Sequence, residues 1–189
     1  MSVIFSCAAY DKLAKWGIKI HAGIDGGTHF VLWARAAMDK QQTTIYDAYA
    51  DAVRKYGRPL RVRSDFAAEH NLVEADMRRG RPNIFRPFLR GSSVHNQRIE
   101  HFWRQVWTHL IFYYKHLLTL MGRHGFLNLV NPIQRASMVA VFLPAIQQEL
   151  ANFVATWNVH RVRKISQNGR DLAGHIPDCL FQSWEREVG

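Results

Sequence analysis

The 189-residue sequence has little cysteine, few acidic side chains and no long hydrophobic run. Its two cysteines, Cys7 and Cys179, belong to no CxxC or paired Cys/His pattern, so we expect reduced thiols inside the cell and no structural zinc site. No apolar run approaches the roughly 20 residues that cross a bilayer. The apolar run at the N-terminus is too short for a secretory signal. We therefore expect no membrane association.

Basic residues, by contrast, are abundant. Lysine and arginine total 25 against 15 acidic residues, a net charge of +10, and 18 of the 25 are arginines. Because a guanidinium group forms bidentate contacts with phosphate, this balance favours a polyanionic partner such as DNA. A basic protein without such a partner would have the same composition. The hydrophobic fraction of 48% predicts a globular fold.

The periodicity of apolar residues predicts an α/β protein with a mixed sheet. Residues 3–9 form a strand, and two further strands flank a turn at Asp25-Gly26-Gly27. The stretch LRVRSD is another strand, and residues 80–93 read as an irregular connection. Helices are predicted over residues 41–56, 69–79, 94–120 and 132–157, with one short helix near the C-terminus. The apolar stripe of the 94–120 helix comprises Ile99, Phe102, Trp103, Val106, Leu110, Tyr113 and Leu117.

Two carboxylates stand where chemistry could occur. Asp65 closes a predicted strand, and Glu100 lies near the start of a helix, with 34 residues between them. Sites tend to form at strand ends in open α/β sheets, and carboxylates there are suitable ligands for Mg²⁺. Two ions about 3.5–4 Å apart would stabilise the attacking and leaving oxygens of a phosphodiester. Two simpler interpretations stay open. Asp65 could cap a helix, or Glu100 could form an i,i+4 ion pair with Arg104 that stabilises the helix by about 0.3–0.5 kcal/mol.

Three segments, HAGIDGGTHFVLW, LRVRSDFAAEHNLV and GSSVHNQRIEHFWRQV, together resemble the catalytic core of retroviral-type integrases, especially the integrase-derived cores of eukaryotic mobile elements. The resemblance continues to about residue 165. It implies a ribonuclease-H-like mixed five-stranded sheet flanked by helices, with long C-terminal helices. It also implies an integrase or transposase that cuts and joins DNA with Mg²⁺ or Mn²⁺. In that family's triad, Asp65 is the second aspartate and Glu100 the glutamate.

The first position of the triad holds an alanine. In the family pattern an Asp-Gly pair precedes the segment that here begins at Tyr10, and counting back places Ala8 at the aspartate. Asp25 lies in the hairpin turn, and Asp11 would have to move along the strand to replace it. We therefore expect impaired strand transfer. The alternative is a catalytically inactive, domesticated or remnant module that binds DNA or protein. A further alternative is that Met1 is not the true start and that the first strand is misread at a splice or frame boundary, which would also place an alanine at this position.

The remaining expectations concern organisation and surface. Residues 1–165 form a core-like domain and residues 166–189 a tail, and the resemblance makes a homodimer and a nuclear location reasonable expectations. Five histidines are solvated or DNA-facing rather than metal ligands: His95, His101, His109, His116 and His124. Six basic residues are candidate phosphate contacts, with a solvated surface charge as the alternative for each: Arg98, Arg104, Lys115, Arg161, Arg163 and Lys164.

Overall fold

A computed structural model describes residues 4–38, 41–91, 97–161 and 175–188. Its strands are β1 (Ile4–Tyr10), β2 (Lys19–Asp25), β3 (Val31–Ala37), β4 (Arg61–Ser64) and β5 (Phe88–Arg90). Its helices are α1 (Gln42–Tyr56), α2 (Asn71–Gly80), α3 (Gln97–Val106), α4 (Phe112–Arg123), α5 (Pro132–Val159) and α6 (Pro177–Val188). Single 3₁₀ turns lie at Ala14–Trp16 and Ala68–His70, and a π-helical turn at Trp107–Ile111 joins α3 to α4.

The five strands form one mixed sheet in the order β3-β2-β1-β4-β5. The pairs β1–β2 and β2–β3 are antiparallel, whereas β1–β4 and β4–β5 are parallel. This confirms the predicted mixed five-stranded sheet. The prediction of an irregular connection over residues 80–93 is wrong at β5, because a three-residue strand that follows Pro87 is too short to show an alternating pattern.

A buried aspartate organises the β2–β3 hairpin. Asp25 is 1% exposed, and its Oδ2 accepts hydrogen bonds from the backbone N–H groups of Gly27 and Thr28 and from the Thr28 hydroxyl. The Asp25 N–H donates to the Phe30 carbonyl at 2.7 Å, which closes the turn. Aspartate is favoured in turns for this ability to bond nearby backbone. Asp25 therefore serves the turn that the sequence predicts.

Helices cover both faces of the sheet. Ala8, Ala22 and Ile24 of the sheet pack in a cluster that includes Phe102 of α3 and Ile146 of α5. On the other face a second cluster joins the sheet to α1, α2 and α6; its buried members include Phe5, Cys7, Tyr49, Val62, Met77 and Phe181. Successive side chains of a strand point to opposite faces, so Cys7 and Ala8 of β1 belong to different layers.

The long helix predicted over residues 94–120 is interrupted by the π turn. Residues 94–96 lie outside the described part of the chain. Before the turn the predicted stripe is buried as expected, but after it Tyr113 is 62% exposed while Tyr114 is 4% exposed. A π turn holds one extra residue, so the buried face moves one position along the chain. For the same reason Leu118 is buried where Leu117 was predicted.

Helix α5 begins at a well-formed cap and runs along the outer edge of β3. The Asn131 side chain accepts from the N–H groups of Ile133 and Gln134, and Pro132 occupies the first turn. Further along, Gln147 Oε1 accepts from the Ala36 N–H at 2.8 Å. Asn158 Oδ1 accepts from the Val31 N–H at 2.8 Å, and Asn158 Nδ2 donates to the Val31 carbonyl at 3.1 Å.

The spacing of these two amides fits the strand that they bond. The eleven residue steps from Gln147 to Asn158 rise about 16 Å along the helix, and the five residue steps from Val31 to Ala36 extend about the same distance along the strand. The two amide side chains can therefore bond β3 near both of its ends. They satisfy backbone groups that an edge strand leaves without a partner strand.

Helix α5 is also long and apolar enough to cross a membrane, by length and composition alone. Its 28 residues contain an 18-residue stretch of mean hydropathy 1.3, of which 22% is buried. Polar residues interrupt this stretch, so it is not the uninterrupted apolar run of about 20 residues that the sequence was expected to lack. One side of α5 packs in the core through Met138, Ile146, Leu150 and Trp157. The other side leaves apolar surface uncovered.

Candidate functional site

The site lies where β1 and β4 end side by side. These strands are parallel, with Cα partners Ile4–Arg61, Phe5–Val62 and Ser6–Arg63. Continued by two residues, this register places Ala8 level with Asp65. Ala8 is 8% exposed and belongs to the layer that contains α3. The alanine at the position that the resemblance assigns to the first aspartate is thus a buried methyl group, level with the candidate aspartate Asp65 by this register.

Asp65 follows directly on β4, with 41% of its side chain exposed. Its Oδ1 accepts from the Ala67 N–H at 3.2 Å and lies 3.5 Å from His70 Nε2. The Ser64 hydroxyl donates to the Asp65 carbonyl at 2.8 Å. Asp65 shapes the turn into the 3₁₀ segment, but the N-cap of that segment is Ala67, which makes no side-chain bond. The helix-capping interpretation is therefore wrong for Asp65.

Glu100 approaches the same place from the first turn of α3. Partial burial raises the pKa of the Glu100 carboxyl; the Arg104 charge opposes this rise, and the Asp65 carboxylate adds to it. Such mutual repulsion requires the two carboxylates to be near each other. Asp65 is thus close enough to Glu100 to contribute to the raised pKa of its carboxyl, although the two residues are 35 positions apart in the sequence.

Tyr10 completes the surroundings of the two carboxylates. Burial and the nearby Glu100 carboxylate raise the pKa of the Tyr10 phenol to about 12. Its ring stacks on Trp103, with centroids 5.0 Å apart and planes 13° apart. Tyr10 was not predicted as a site residue from the sequence. It lies two residues after Ala8 on β1, so the two side chains are on the same face of the sheet. Cys7 was missed as well: burial, with the Asp65 charge, raises the pKa of its thiol.

These residues do not fit a site for two metal ions. Among the residues that the structure describes, no group of three or more His, Cys, Asp or Glu side chains could hold a metal ion. Asp25 pairs with Phe5, three residues and about 10 Å along β1 from Ala8. Asp11 is exposed beyond the end of β1. Neither aspartate therefore stands in for a carboxylate at position 8.

The predicted phosphate contacts have different surroundings, and Arg104 lies close enough to Glu100 to oppose the rise of its pKa. Burial lowers the pKa of Arg98, and the nearby Asp25 charge opposes this. Lys115 Nζ lies 5.2 Å from the centroid of the Trp107 ring, and Arg161 is exposed at the end of α5. Arg163 and Lys164 lie outside the described residues. Both Arg98 and Arg161 are exposed, and Arg98 also lies near the Asp25 carboxylate.

Several of the histidines contact aromatic rings. His101 lies 5.8 Å from Trp157, His109 lies 6.0 Å from Phe153, and His116 stacks on Phe112 at 6.2 Å, all between ring centroids. His95 lies outside the described residues. His29, which sequence reasoning passed over, sits beside Arg98 and His101; burial and these two charges lower its pKa to about 4.

Comparison with known proteins agrees with this geometry. A family model described as "Integrase core domain" matches residues 3–172. The chain belongs to the integrase core domain family. This integrase core resembles the catalytic core domain of BIV integrase, with a TM-score of 0.58 and 12% identity over 99% of this chain and 98% of the other. The fold is ribonuclease-H-like.

A second solved structure similar to this integrase core is the HTLV-2 integrase catalytic core domain in complex with magnesium. Its TM-score is 0.49 and its identity 12%, over 90% of this chain and 93% of that one. No curated protein matches the chain. At 12% identity the similarity to the BIV core establishes the fold of this integrase core alone.

Proposed function

We propose that this integrase core binds DNA at the end of β1 and β4, and that its metal-dependent cleavage and strand transfer are impaired. The observation that carries the proposal is the position of Ala8, level with Asp65 in the parallel pair. Family membership supports an integrase or transposase ancestry. The alternative is a catalytically inactive, domesticated or remnant module that binds DNA or protein; it would have no residual activity, and as a protein-interaction module it would not need to bind DNA.

The composition of the two-carboxylate site supports weak metal binding. Asp65 and Glu100 would be the ligands of a Mg²⁺ or Mn²⁺ ion, because hard cations prefer carboxylate oxygen. Where a third carboxylate would hold a second ion, the site has the methyl group of Ala8. Polynucleotidyl transfer with two metals stabilises both the attacking and the leaving oxygen. We expect this stabilisation to be lost in large part.

A DNA-binding role rests on the charge of the chain. A net charge of +10 raises the local concentration of a polyanion. Candidate contacts are Arg98, Arg104, Lys115, Arg161, Arg163 and Lys164. If these residues contact phosphates, the logarithm of affinity falls linearly with the logarithm of salt, with a slope of about −0.9 for each contact.

Strand transfer and DNA affinity test the two halves of this proposal separately. With Mg²⁺ or Mn²⁺, we expect strand transfer by the unmodified chain to remain near background. Affinity for labelled DNA should fall steeply as salt rises, and Arg161→Gln should reduce the slope by about one. A metal-dependent strand-transfer signal that disappears in Asp65→Asn would contradict the inactive alternative, and a signal as strong as that of an integrase core with a complete triad would contradict the impairment. Affinity that does not change with salt would contradict phosphate binding.

The uncovered face of α5 supports self-association. Ile133, Val141 and Val159 are 75%, 65% and 59% exposed. At 100° per residue they fall within about 80° of one another around the helix. Exposed apolar surface of this kind marks interaction sites, and we propose a homodimer through this face.

We also propose a nuclear location, where a DNA partner would be found. Exclusion of a fluorescent fusion from the nucleus would contradict this location.

A further inference from the structure

An exposed aromatic residue adjoins the candidate site. Phe66 follows Asp65 directly and is 70% exposed, whereas most aromatic residues of the sheet layers are buried. It contributes little to the core in this position. An exposed apolar side chain can be incidental, so the argument depends on how Phe66 is held and on what it adjoins.

The backbone of Ala67, the residue after Phe66, is held by hydrogen bonds on both its N–H and its carbonyl group. The Ala67 N–H donates to Asp65 Oδ1 at 3.2 Å, and the Ala67 carbonyl accepts from Arg90 Nη1 at 3.0 Å. Arg90 is itself held, because it donates to Asn71 Oδ1 at 2.6 Å and to Glu74 Oε2 at 2.8 Å. The turn is therefore braced from β5 and α2, and Phe66 projects into solvent from a fixed backbone.

The charges around Phe66 favour contact with the uncharged part of a nucleotide. Asp65 and Glu100 repel a phosphate unless a cation lies between them, and the site lacks the third carboxylate that would hold two cations. A nucleobase carries no charge and has an aromatic face that stacks on a phenyl ring. The net charge of +10 attracts the nucleic acid as a whole. Stacking on Phe66 requires no metal.

We infer that Phe66 stacks on an unpaired base of DNA bound at the Asp65–Glu100 site, so that the site prefers single-stranded or frayed DNA to continuous duplex. A base inside a duplex is already stacked on its neighbours, and its face is not available to a side chain. This inference rests on the proposed DNA-binding function and names the form of DNA that the site takes.

The inference is tested by affinity for a labelled single-stranded oligonucleotide of about 12 nucleotides and for the matching duplex, both in EDTA. Phe66→Ala should weaken single-strand binding by about five- to a hundredfold and leave duplex binding unchanged. Phe66→Trp should retain the affinity. An oligonucleotide with abasic sites should bind Phe66→Ala and the unmodified chain equally.

The matched control is Phe85→Ala. Phe85 is 78% exposed but precedes β5, so it lies at the opposite end of the parallel β4–β5 pair from Phe66. This variant should bind both DNA forms as the unmodified chain does, and both alanine variants should unfold at unchanged temperature.

The outcomes separate this inference from the function on which it rests. If single-strand affinity falls steeply with salt but is the same in Phe66→Ala, the stacking role is wrong and DNA binding stands. An equal loss for both DNA forms also overturns it, because the contact then does not discriminate an unpaired base. If neither DNA form binds, the proposed function fails, and the inference fails with it.

Discussion

At the scale of single residues, the proposed impairment depends on the side chain at position 8. Ala8 is buried, in register with Asp65, and in the layer that contains α3. The catalytic roles of Asp65 and Glu100 stay predictions, and they rest on the family resemblance of the segments that contain them. The proximity of Tyr10 and Cys7 could not be predicted, because it depends on how β1 pairs with β4 and packs against α3.

Restoring the carboxylate should restore a metal response. In Ala8→Asp a third negative charge joins a partly buried pair, so we expect the unliganded protein to lose about 1–3 kcal/mol of unfolding free energy. Mn²⁺ should then raise the unfolding temperature, because an ion that binds only the folded state stabilises it. Thermal unfolding with increasing Mn²⁺ measures this response.

Ala9→Asp is the control for this experiment, because residue 9 points to the other face of β1. It should show little response to Mn²⁺. Equal responses of the two variants would mean that position 8 does not face the carboxylate pair.

A second residue-scale prediction concerns His29 and pH. Burial, with Arg98 and His101, lowers the pKa of His29 to about 4, from an ordinary value near 6.5. Between these values the unfolded chain binds more protons, so stability should fall by about 3 kcal/mol as pH drops from about 6.5 to 4. His29→Asn should remove most of this loss in urea unfolding, since asparagine tolerates the positive φ of 67°.

The exposed His124 provides the comparison for this pH experiment. His124→Asn should leave the pH dependence of stability as it is in the unmodified chain. Stability curves for His29→Asn that run parallel to those of the unmodified chain across this pH range would contradict the assignment.

At the scale of elements, the strands and helices that depend on consecutive residues could be predicted from local patterns, whereas features that depend on long-range pairing could not. The hairpin and α1 agree with prediction to within a few residues, because turn chemistry and helical periodicity are written in consecutive residues. The π turn and β5 were missed. The π turn shifts the buried face from Tyr113 to Tyr114, and β5 exists through its pairing with β4.

The contact between α5 and β3 yields an element-scale prediction. Gln147→Leu removes the acceptor of the Ala36 N–H and the donor to the Ala34 carbonyl. Because partly buried backbone groups are left without partners, we expect a loss of about 1–3 kcal/mol in unfolding free energy. Gln148→Leu is the neighbouring control: its amide bonds Asn152 on the exposed side, and its effect should stay within about 0.5 kcal/mol. Equal urea midpoints for the two variants would contradict this role.

At the scale of the whole molecule, the exposed apolar face of α5 contrasts with the basic charge of the chain. The chain carries +10, yet α5 contains only Arg135 and Glu149 as charged residues between Pro132 and Val159. Glu149 accepts a hydrogen bond from the Tyr114 hydroxyl at 2.8 Å. The uncharged side of α5 is thus the part of this basic molecule where two copies repel each other least.

A single charge on that side should prevent self-association. Val141→Glu introduces carboxylates that would face apolar surface in the dimer, and burying an unpaired charge is costly. We expect light scattering to give a dimer mass for the unmodified chain and a monomer mass for this variant. Val130→Glu, at a 90% exposed position before α5, should remain dimeric. A monomer mass for the unmodified chain at high concentration would contradict the dimer.

The amides of α5 on β3 have a consequence for how copies of this protein can meet. With Gln147 and Asn158 on its outer edge, β3 offers few free backbone groups to a strand from another molecule. The opposite edge of the sheet is β5, only three residues long. Neither border is a good template for adding strands, so the sheet resists growing into an aggregate even though the chain is rich in aromatic residues.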